Sequence, residues 1–429
     1  MNLPVSARIK DNGILEIGGC DAAELAAEFG TPLYVIDEST VVKKCRQYND
    51  SLKKHYPDSL VIFACKAFCA AGILKLVHEQ GLGVDVSTSG ELYTALKGSC
   101  DTNKLFFHGN NKSVSEIAFG IKSGVGTFIA DNTDEIRMIS DEALRQGSEV
   151  KVMLRINPGV EAHTHDYIRT GMTDSKFGIS KEDALKAVSL LKSLKGLEFA
   201  GLHSHIGSQI FEKQSFCAEI DVLAELASQI KKSLGLDCAS LDLGGGIGIR
   251  YTSQDEDPCI EDFVECMAVR LKENCRRHKL KEPRLILEPG RSIIAEAGVT
   301  LYEAGAVKEI PGIRKYVLVD GGMADNPRPI LYQAKYEAVV AGKASQKPQE
   351  TYTIAGKACE SGDILIKDIK LPKIERGDII AVLCTGAYNY SMASNYNRLP
   401  RPAVVAVRDG RPRLIVKRET NEDLARNDL

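Results

Sequence analysis

Residues 60–86, LVIFACKAFCAAGILKLVHEQGLGVDV, combine two apolar β-type runs with a helical pattern between them. The first run, LVIFAC, is short and continuously apolar, which is typical of a buried strand. The following AAGILKLVHEQ spaces its apolar residues as one face of a helix requires. GVDV returns to the β-type pattern, so the segment predicts a strand, a helix and a second strand.

This alternation extends over most of the chain. Helical segments separate eight β-type runs: Leu60–Cys65, Gly83–Val86, Leu105–His108, Thr127–Ala130, Val150–Ile156, Phe199–His205, Ser240–Leu243 and Arg284–Glu288. Eight successive units favour a closed (β/α)8 barrel over an open doubly wound sheet. No GxGxxG follows the first run, which also argues against a dinucleotide-binding fold.

Several helical segments begin with a predicted capping box, in which a polar residue is followed three residues later by an acid. The pairs are Thr88 with Glu91, Ser113 with Glu116, and Asn132 with Glu135. We therefore expect helices to begin at these three places.

Past residue 298 the pattern changes to β-type runs separated by turn residues, such as KYVLVD, TYTIAG and GDIIAVLC. The N-terminal segment also contains a strand-like run, GILEIGG, which we expect to join this second domain. The predicted fold is therefore α/β, with a TIM-like barrel over residues 30–298. Residues 1–29 and 299–429 form a β-rich domain.

Composition excludes several classes of protein. The net charge of −3 leaves no basic surplus for nucleic acid or a membrane surface. No apolar run approaches the length of a membrane span, and the N-terminus lacks the apolar core of a secretory signal. The 12 cysteines form no CxxC pair and do not cluster with histidines. We expect reduced thiols, no metal site and a cytoplasmic location.

Reactive residues concentrate where the predicted strands end. Barrel enzymes carry their catalytic groups at the C-terminal ends of the strands. Any one such residue would more often be an ordinary polar side chain, but their number at one rim predicts an active site. The residues are Lys66, Asp85, His108, Arg155, His203, His205, Glu288 and Arg291.

The glycines of LDLGGGIGIRY, Gly244, Gly245 and Gly246, directly follow the seventh run. Glycine lets backbone N–H groups approach an anion closely. Three glycines alone would also suit a tight turn. Barrels commonly bind phosphate with the loops after strands seven and eight, however, and EPGRS follows the eighth run. The position therefore favours a phosphate site.

Lys66 ends an apolar strand, where a solvated lysine is the ordinary interpretation. Burial would instead lower the pKa of its amine and free it for Schiff-base chemistry. A buried lysine and a phosphate site at one barrel mouth predict pyridoxal phosphate. Glu288 would then pair with the pyridine nitrogen and keep it protonated, which suits decarboxylation. An arginine at that position would suit racemisation better.

With these residues in place, the chain resembles the diaminopimelate decarboxylase family, whose members are fold-type III pyridoxal-phosphate enzymes. The match runs from about residue 30 to the C-terminus. Its motifs are FACKAF, GVDVSTSGELY, INPGV, HTHDYIRTG, SKFGIS, GLHSHIGSQI, LDLGGGIGI, LEPGRSI, VDGGMADNPRPILY, CESGD and GAYNYSMASNYNRLPRP. The resemblance implies decarboxylation of meso-2,6-diaminopimelate to L-lysine and carbon dioxide, the last step of lysine biosynthesis.

The resemblance also implies a role for each matching residue. Lys66 would form the Schiff base, and His205 would stack on the pyridine ring. Cys359 would protonate the carbanion in the site of a partner subunit, so the protein would be a homodimer with shared active sites. The cofactor-binding set would be Lys66, Asp85, His205, Ser208, Gly244, Gly245, Gly246, Glu288, Gly290, Arg291 and Tyr388. The substrate-binding set would be Arg291, Arg328, Tyr332, Glu360 and Tyr388.

Two other functions stay open at this point. One is decarboxylation of another basic amino acid, such as ornithine, D-lysine or arginine, which would not need partners for a second carboxylate. The other is a non-catalytic, regulatory protein that binds pyridoxal phosphate, for which loss of Lys66 or Cys359 would be the sign.

Phe68 departs from the asparagine of many family members. We expect HTHDYIRTG, residues 163–171, to be the loop that closes the site.

Overall fold

The computed structural model describes residues 1–160 and 175–429, which form two compact units. The barrel unit contains Lys44–Gly248 and Asp257–Ser292. The sheet unit contains Met1–Lys43, Ile249–Glu256 and Ile293–Leu429. Among the residues described, no helix combines the length and hydropathy needed to cross a membrane.

The strands and helices alternate through the first two thirds of the chain. The strands are β1 (Arg8–Ile9), β2 (Leu15–Ile17), β3 (Cys20–Asp21), β4 (Leu33–Asp37), β5 (Ser59–Ala64), β6 (Gly83–Val86), β7 (Leu105–Phe107), β8 (Thr127–Ala130), β9 (Val150–Asn157), β10 (Ile179–Ser180), β11 (Leu197–His203), β12 (Ser240–Asp242), β13 (Arg284–Leu287), β14 (Gly298–Ile310), β15 (Arg314–Val319), β16 (Ala338–Val340), β17 (Glu350–Ala355), β18 (Ile364–Leu371), β19 (Ile379–Val382), β20 (Ala403–Arg408) and β21 (Arg411–Val416). The helices are α1 (Ala22–Phe29), α2 (Glu38–His55), α3 (Ala71–Glu79), α4 (Ser89–Lys97), α5 (Val114–Lys122), α6 (Thr133–Arg145), α7 (Ala184–Ser193), α8 (Lys213–Leu234), α9 (Ile260–His278), α10 (Arg291–Ile294), α11 (Arg328–Tyr332) and α12 (Asn421–Ala425).

The barrel unit is closed by eight parallel strands. Their order is β5, β6, β7, β8, β9, β11, β12, β13, and β13 pairs back onto β5. The short β10 adds to the edge of β9. These eight strands coincide with the eight runs predicted from the sequence, so the predicted barrel is confirmed.

Apolar side chains fill the interior of the barrel. One buried cluster brings together residues from five strands, so the inside is a packed core rather than a pore. Its members are Ile62, Phe106, Ile129, Met153 and Ile286.

The predicted capping boxes are complete at one helix and partial at two. Ser113 accepts the N–H of Glu116, and the Glu116 carboxylate accepts the N–H of Ser113 in return. Thr88 and Asn132 likewise accept the N–H groups of Glu91 and Glu135. The carboxylates of those two acids bond elsewhere, however: Glu91 accepts Ser87 N–H and Glu135 accepts Lys112 Nζ, both at 2.6 Å. A neighbouring backbone N–H at α4 and a more distant lysine at α6 therefore replaced half of each predicted box.

The sheet unit is built on a second sheet with the order β18, β17, β15, β14, β4, β20, β21. The long β14 also pairs with β19, which in turn pairs with β16. The first part of the chain contributes β4 and a small sheet, β1–β2–β3, which includes the predicted GILEIGG strand. The β-rich second domain with an N-terminal contribution is thus confirmed.

The first residues of the predicted barrel belong instead to the sheet unit. Strand β4 pairs with β14 and β20 and so completes the second sheet. All five of its residues are buried there. The sheet unit also takes Ile249–Glu256, which follows the glycine loop.

Candidate active site

Lys66 lies in a single 3₁₀ turn, Cys65–Ala67, directly after β5. Asp85, in the neighbouring β6, fixes this turn because its Oδ1 accepts the N–H of Cys65 at 3.2 Å. Lys66 itself is exposed, so the expectation of a buried lysine was wrong. The turn carries the residue past the end of the apolar strand, where the side chain reaches solvent.

Glu288 is the central charge of the barrel rim. It is buried at the end of β13, where its Oε2 accepts His203 Nε2 at 3.2 Å. His108 Nε2 lies 2.8 Å from the other oxygen, Oε1. Burial would raise the pKa of Glu288, but His108 and His203 outweigh it and hold the pKa well below its usual range. Glu288 is therefore an anion.

The two histidines of GLHSHIGSQI are both neutral at pH 7. Burial lowers the pKa of His203 to about 4, although Glu288 opposes it. Burial also lowers the pKa of His205, and the nearby cations Lys66 and Arg155 lower it further. A neutral imidazole can lie flat against a cofactor ring without adding charge.

Arg155 itself stacks on Phe177, with its guanidinium 4.3 Å from the ring centre.

The three glycines after β12 occupy positions where a side chain would not fit. Gly244 has φ +62°, and a Cβ there would lie 2.8 Å from both His205 Nδ1 and Ser204 O. A Cβ at Gly245 would lie 2.2 Å from Glu288 O. The glycines therefore let the loops after β11, β12 and β13 approach each other closely. The loop is a tight turn that also presents its backbone to the rim.

Ser208 and Arg291 come together beside this loop. Arg291 is buried at the start of α10, and its Nε and Nη2 donate to Ser208 Oγ at 3.1 and 2.9 Å. A Cβ at Gly290, one residue earlier, would lie 2.9 Å from the Cβ of Ala64. A hydroxyl, a guanidinium and glycine backbone are the groups that proteins use for phosphate.

In the sheet unit, Arg328 is a buried cation at the start of α11, 6% exposed. Its Nη1 donates to the hydroxyls of Tyr251 and Tyr336, each at 2.8 Å. Within the described parts of the chain, no carboxylate forms an ion pair with Arg328. An arginine stays charged in proteins, so its burial without an anion is costly. This arrangement favours a carboxylate ligand.

Cys359 and Glu360 are exposed on the loop between β17 and β18. The loop is well anchored, since Cys359 N donates to Asn397 Oδ1 at 2.7 Å. Buried Asp363 accepts the N–H groups of Ala358 and Met323 at 2.9 and 2.7 Å. The two side chains are thus held outward on a fixed backbone.

Two predicted tyrosines also lie in the sheet unit. Tyr332 is half-buried at the end of α11, so Arg328 and Tyr332 do lie on one helical turn. Tyr388 is half-buried with φ +61°, a left-handed conformation that is rare for an aromatic residue. Such strain persists only where surrounding structure holds it. The predicted closing loop, residues 163–171, falls outside the described residues.

Comparison with known proteins identifies the family. Residues 38–295 match the family described as "Pyridoxal-dependent decarboxylase, pyridoxal binding domain". The chain is 44% identical to the diaminopimelate decarboxylase of Bacillus subtilis, with 100% of this chain and 98% of that protein covered. The chain belongs to the diaminopimelate decarboxylase family. It is therefore a pyridoxal-phosphate-dependent decarboxylase, and the predicted family and cofactor are confirmed.

Solved structures agree with this assignment to the diaminopimelate decarboxylases. The enzyme of M. jannaschii in complex with L-lysine is 35% identical, with a TM-score of 0.91 and coverage of 99% of this chain and 98% of that one. A lysine/ornithine decarboxylase from Vibrio vulnificus in complex with putrescine is 22% identical, with a TM-score of 0.76 and coverage of 90% and 97%. The second comparison shows the fold alone.

The barrel rim fits pyridoxal phosphate on its own geometry. Anionic Glu288 suits a protonated ring nitrogen, neutral His205 suits the ring face, and the glycine loop with Ser208 and Arg291 suits the phosphate. Lys66 lies close enough to influence both Asp85 and His205 electrostatically. The rim therefore brings together the predicted cofactor residues of the barrel unit.

Sequence reasoning missed the hydroxyls that hold Arg328. Tyr251 and Tyr336 contact the same guanidinium from positions 77 and 8 residues away along the chain. Tyr251 is too distant in the chain for any local pattern to find, and α11 ends at Tyr332, so Tyr336 does not reach Arg328 through a shared helix. His108 was recognised as a strand-end residue, but its contact with Glu288 required the closed barrel.

Proposed function

We propose that this protein removes carbon dioxide from meso-2,6-diaminopimelate and releases L-lysine, as the last step of lysine biosynthesis. The observation that carries the proposal is Arg328, a buried cation held by two neutral hydroxyls. Diaminopimelate differs from lysine, ornithine and arginine by a second carboxylate, and a buried arginine suits that group. Family membership supports the same substrate.

The barrel unit would hold the cofactor. Lys66 would attach to it covalently, and the glycine loop with Ser208 and Arg291 would bind its phosphate. When bound, pyridoxal phosphate supplies the electron sink that accepts the bonding pair left behind by carbon dioxide. Glu288 would keep a proton at the ring nitrogen, because its own pKa is held low. His205 would lie against the ring and exclude water from that face.

The sheet unit would supply the substrate contacts. Arg328 and Tyr332 would bind the distal carboxylate, Glu360 would bind the distal amino group, and Tyr388 would contact both cofactor and substrate. Cys359 would hold the proton that replaces carbon dioxide. Its exposure on an anchored loop supports delivery into the site of a second subunit. The working protein would then be a cytoplasmic homodimer with shared active sites and no nucleic-acid or membrane partner.

A substrate panel tests this function. Purified protein loaded with pyridoxal phosphate is supplied with meso-diaminopimelate, its L,L and D,D isomers, lysine, ornithine and arginine, and carbon dioxide is measured. We expect release from meso-diaminopimelate alone. Release from ornithine or arginine without release from diaminopimelate would overturn the proposal. A bound cofactor with no release from any of them would indicate a regulatory protein.

Sedimentation combined with subunit mixing tests the shared site. Inactive Lys66→Ala and inactive Cys359→Ala proteins are mixed under conditions that allow subunits to exchange. If Cys359 serves the partner's site, the mixture regains up to about a quarter of the wild-type activity, because random pairing makes half of the dimers hybrids with one intact site. A fully active monomer, or no recovery in a mixture shown to contain hybrids, would contradict the shared site.

A further inference from the structure

Two buried carboxyl groups meet at the ends of the adjacent strands β12 and β13. Asp242 is fully buried and Glu288 is 7% exposed. Gly244 links them through its backbone. Its N–H donates to Asp242 Oδ1 at 2.8 Å, and its carbonyl accepts the N–H of Glu288 at 2.7 Å. The relative position of the two residues is therefore set by the same loop that presents the glycines.

One oxygen of each carboxyl lacks a hydrogen-bond donor. Within the described residues, Asp242 Oδ2 and Glu288 Oε1 are buried and have no hydrogen-bond partner. His108 Nε2 nonetheless lies 2.8 Å from Glu288 Oε1, an electrostatic contact that leaves this oxygen able to accept a further donor. Asp242 lies opposite Ile286 in the β12–β13 pairing, two residues before Glu288, so the two carboxyl groups lie at neighbouring strand ends and interact. Two carboxylate oxygens can bond only if a proton lies between them.

The surroundings decide which residue carries that proton. Burial raises the pKa of Asp242 well above its usual range, and the charges of Glu288 and Asp85 raise it further. Gly244 N–H and the more distant Arg155 act in the opposite direction but do not outweigh them. Glu288, in contrast, is stabilised as an anion by His203 and His108, which lie 3.2 and 2.8 Å from its two oxygens. Like charges this close cannot both be ionised in a buried site.

We propose that Asp242 is a protonated positioning residue, which donates a hydrogen bond from Oδ2 to Glu288 and orients that carboxylate toward the ring nitrogen of the cofactor. The donated bond withdraws charge from Glu288 and makes it a weaker base. The proton shared by Glu288 and the ring nitrogen then stays on the ring. This inference rests on the cofactor-binding role proposed for Glu288.

Two substitutions separate a protonated Asp242 from an ionised one. Asp242→Asn is neutral and keeps both an acceptor for Gly244 and a donor for Glu288, so it mimics the protonated acid. Asp242→Ala removes both. We expect Asp242→Asn to bind pyridoxal phosphate within about threefold of wild type and to keep the pH dependence of its absorption spectrum. Asp242→Ala should lose about tenfold in affinity and shift that pH dependence.

Infrared spectroscopy of the apoprotein reads the protonation state directly. The wild type should show the C=O band of a protonated carboxyl at pH 7 that Asp242→Asn lacks. If Asp242→Asn loses as much affinity as Asp242→Ala and no such band is present, Asp242 is ionised and the inference is wrong. Should Asp242→Ala fail to fold, Asp242→Asn and the infrared band still decide. None of these measurements uses carbon dioxide release, so failure of the proposed reaction would be recognised separately.

Discussion

The barrel rim and the Arg328 site of the sheet unit treat buried charge in opposite ways. At the rim, the charge of Glu288 is surrounded by partners of the same chain, His203 and His108. In the sheet unit, Arg328 has two neutral hydroxyls and, among the described residues, no carboxylate. The difference is what the proposed function requires, with a rim preorganised for a resident cofactor and an Arg328 that would bind a carboxylate arriving with the substrate.

The largest effect is expected at the rim. Lys66→Ala removes the amine that would attach the cofactor, so kcat should fall by at least about a thousandfold. The fold should survive because Lys66 is exposed, and the thermal midpoint of the apoprotein should match wild type. Lys75→Ala, an exposed lysine of α3, is the matched control and should keep full activity. An active Lys66→Ala protein would place the reactive amine elsewhere.

Arg328→Lys tests the other side of the comparison. Lysine keeps the charge but cannot donate two parallel hydrogen bonds, so kcat/KM for meso-diaminopimelate should fall by about a hundredfold, mainly through KM. The exposed Arg376→Lys in the same unit should be neutral. If Arg328→Lys leaves KM unchanged while lowering thermal stability, Arg328 has a structural role only, and the contrast between the two sites disappears.

Tyr336→Phe sharpens the comparison, because it removes one of the two hydroxyls that hold Arg328. The loss of a buried hydrogen bond to a charged group should cost about tenfold in kcat/KM. Combining it with Arg328→Lys should add little, since both changes disturb one contact. Tyr93→Phe, an exposed tyrosine of α4, serves as the control. Fully additive losses in the double variant would show that the two residues act independently.

The smallest expected effect concerns how the stability of the protein depends on pH, which follows from the excess of carboxyl groups at the rim. Burial raises the pKa of Asp85 to about 7. The folded state then binds more protons than the unfolded state between the ordinary pKa and about 7, so this group's contribution to stability falls as pH rises through that window.

Asp85→Asn should remove this loss. The decrease in free energy of unfolding of the apoprotein from pH 5 to pH 7 should shrink by about 1 to 2 kcal/mol, as measured by denaturant titration at both pH values. Asp134→Asn, exposed in the first turn of α6, should leave the pH dependence as it is. An unchanged slope in Asp85→Asn would mean that the Asp85 carboxyl is already ionised at pH 5.

Predictions from the sequence were correct where a feature depends on residues that are close together in the chain. The eight strands, the capping at Ser113 and the helical turn from Arg328 to Tyr332 each follow from spacing within a few residues. The same reasoning failed for Lys66, because whether a side chain is buried depends on how the loop leaves the strand. It also failed for Glu91 and Glu135, whose carboxylates accept from the nearby Ser87 N–H and from the more distant Lys112 instead of completing a cap.

By itself, the sequence determined the alternation of strands and helices, the closed barrel, and the set of strand-end residues that would serve a pyridoxal-phosphate enzyme. Apolar periodicity and sequence motifs involve residues that are close together in the chain, so they can be recognised from the sequence alone. Only the tertiary structure decided the charges at those residues. The anionic state of Glu288, the proton proposed for Asp242 and the two hydroxyls around Arg328 depend on segments that are distant in the sequence and buried together. The burial of a charged group and its pairing depend on all the segments that surround it, so neither follows from the identity of one residue.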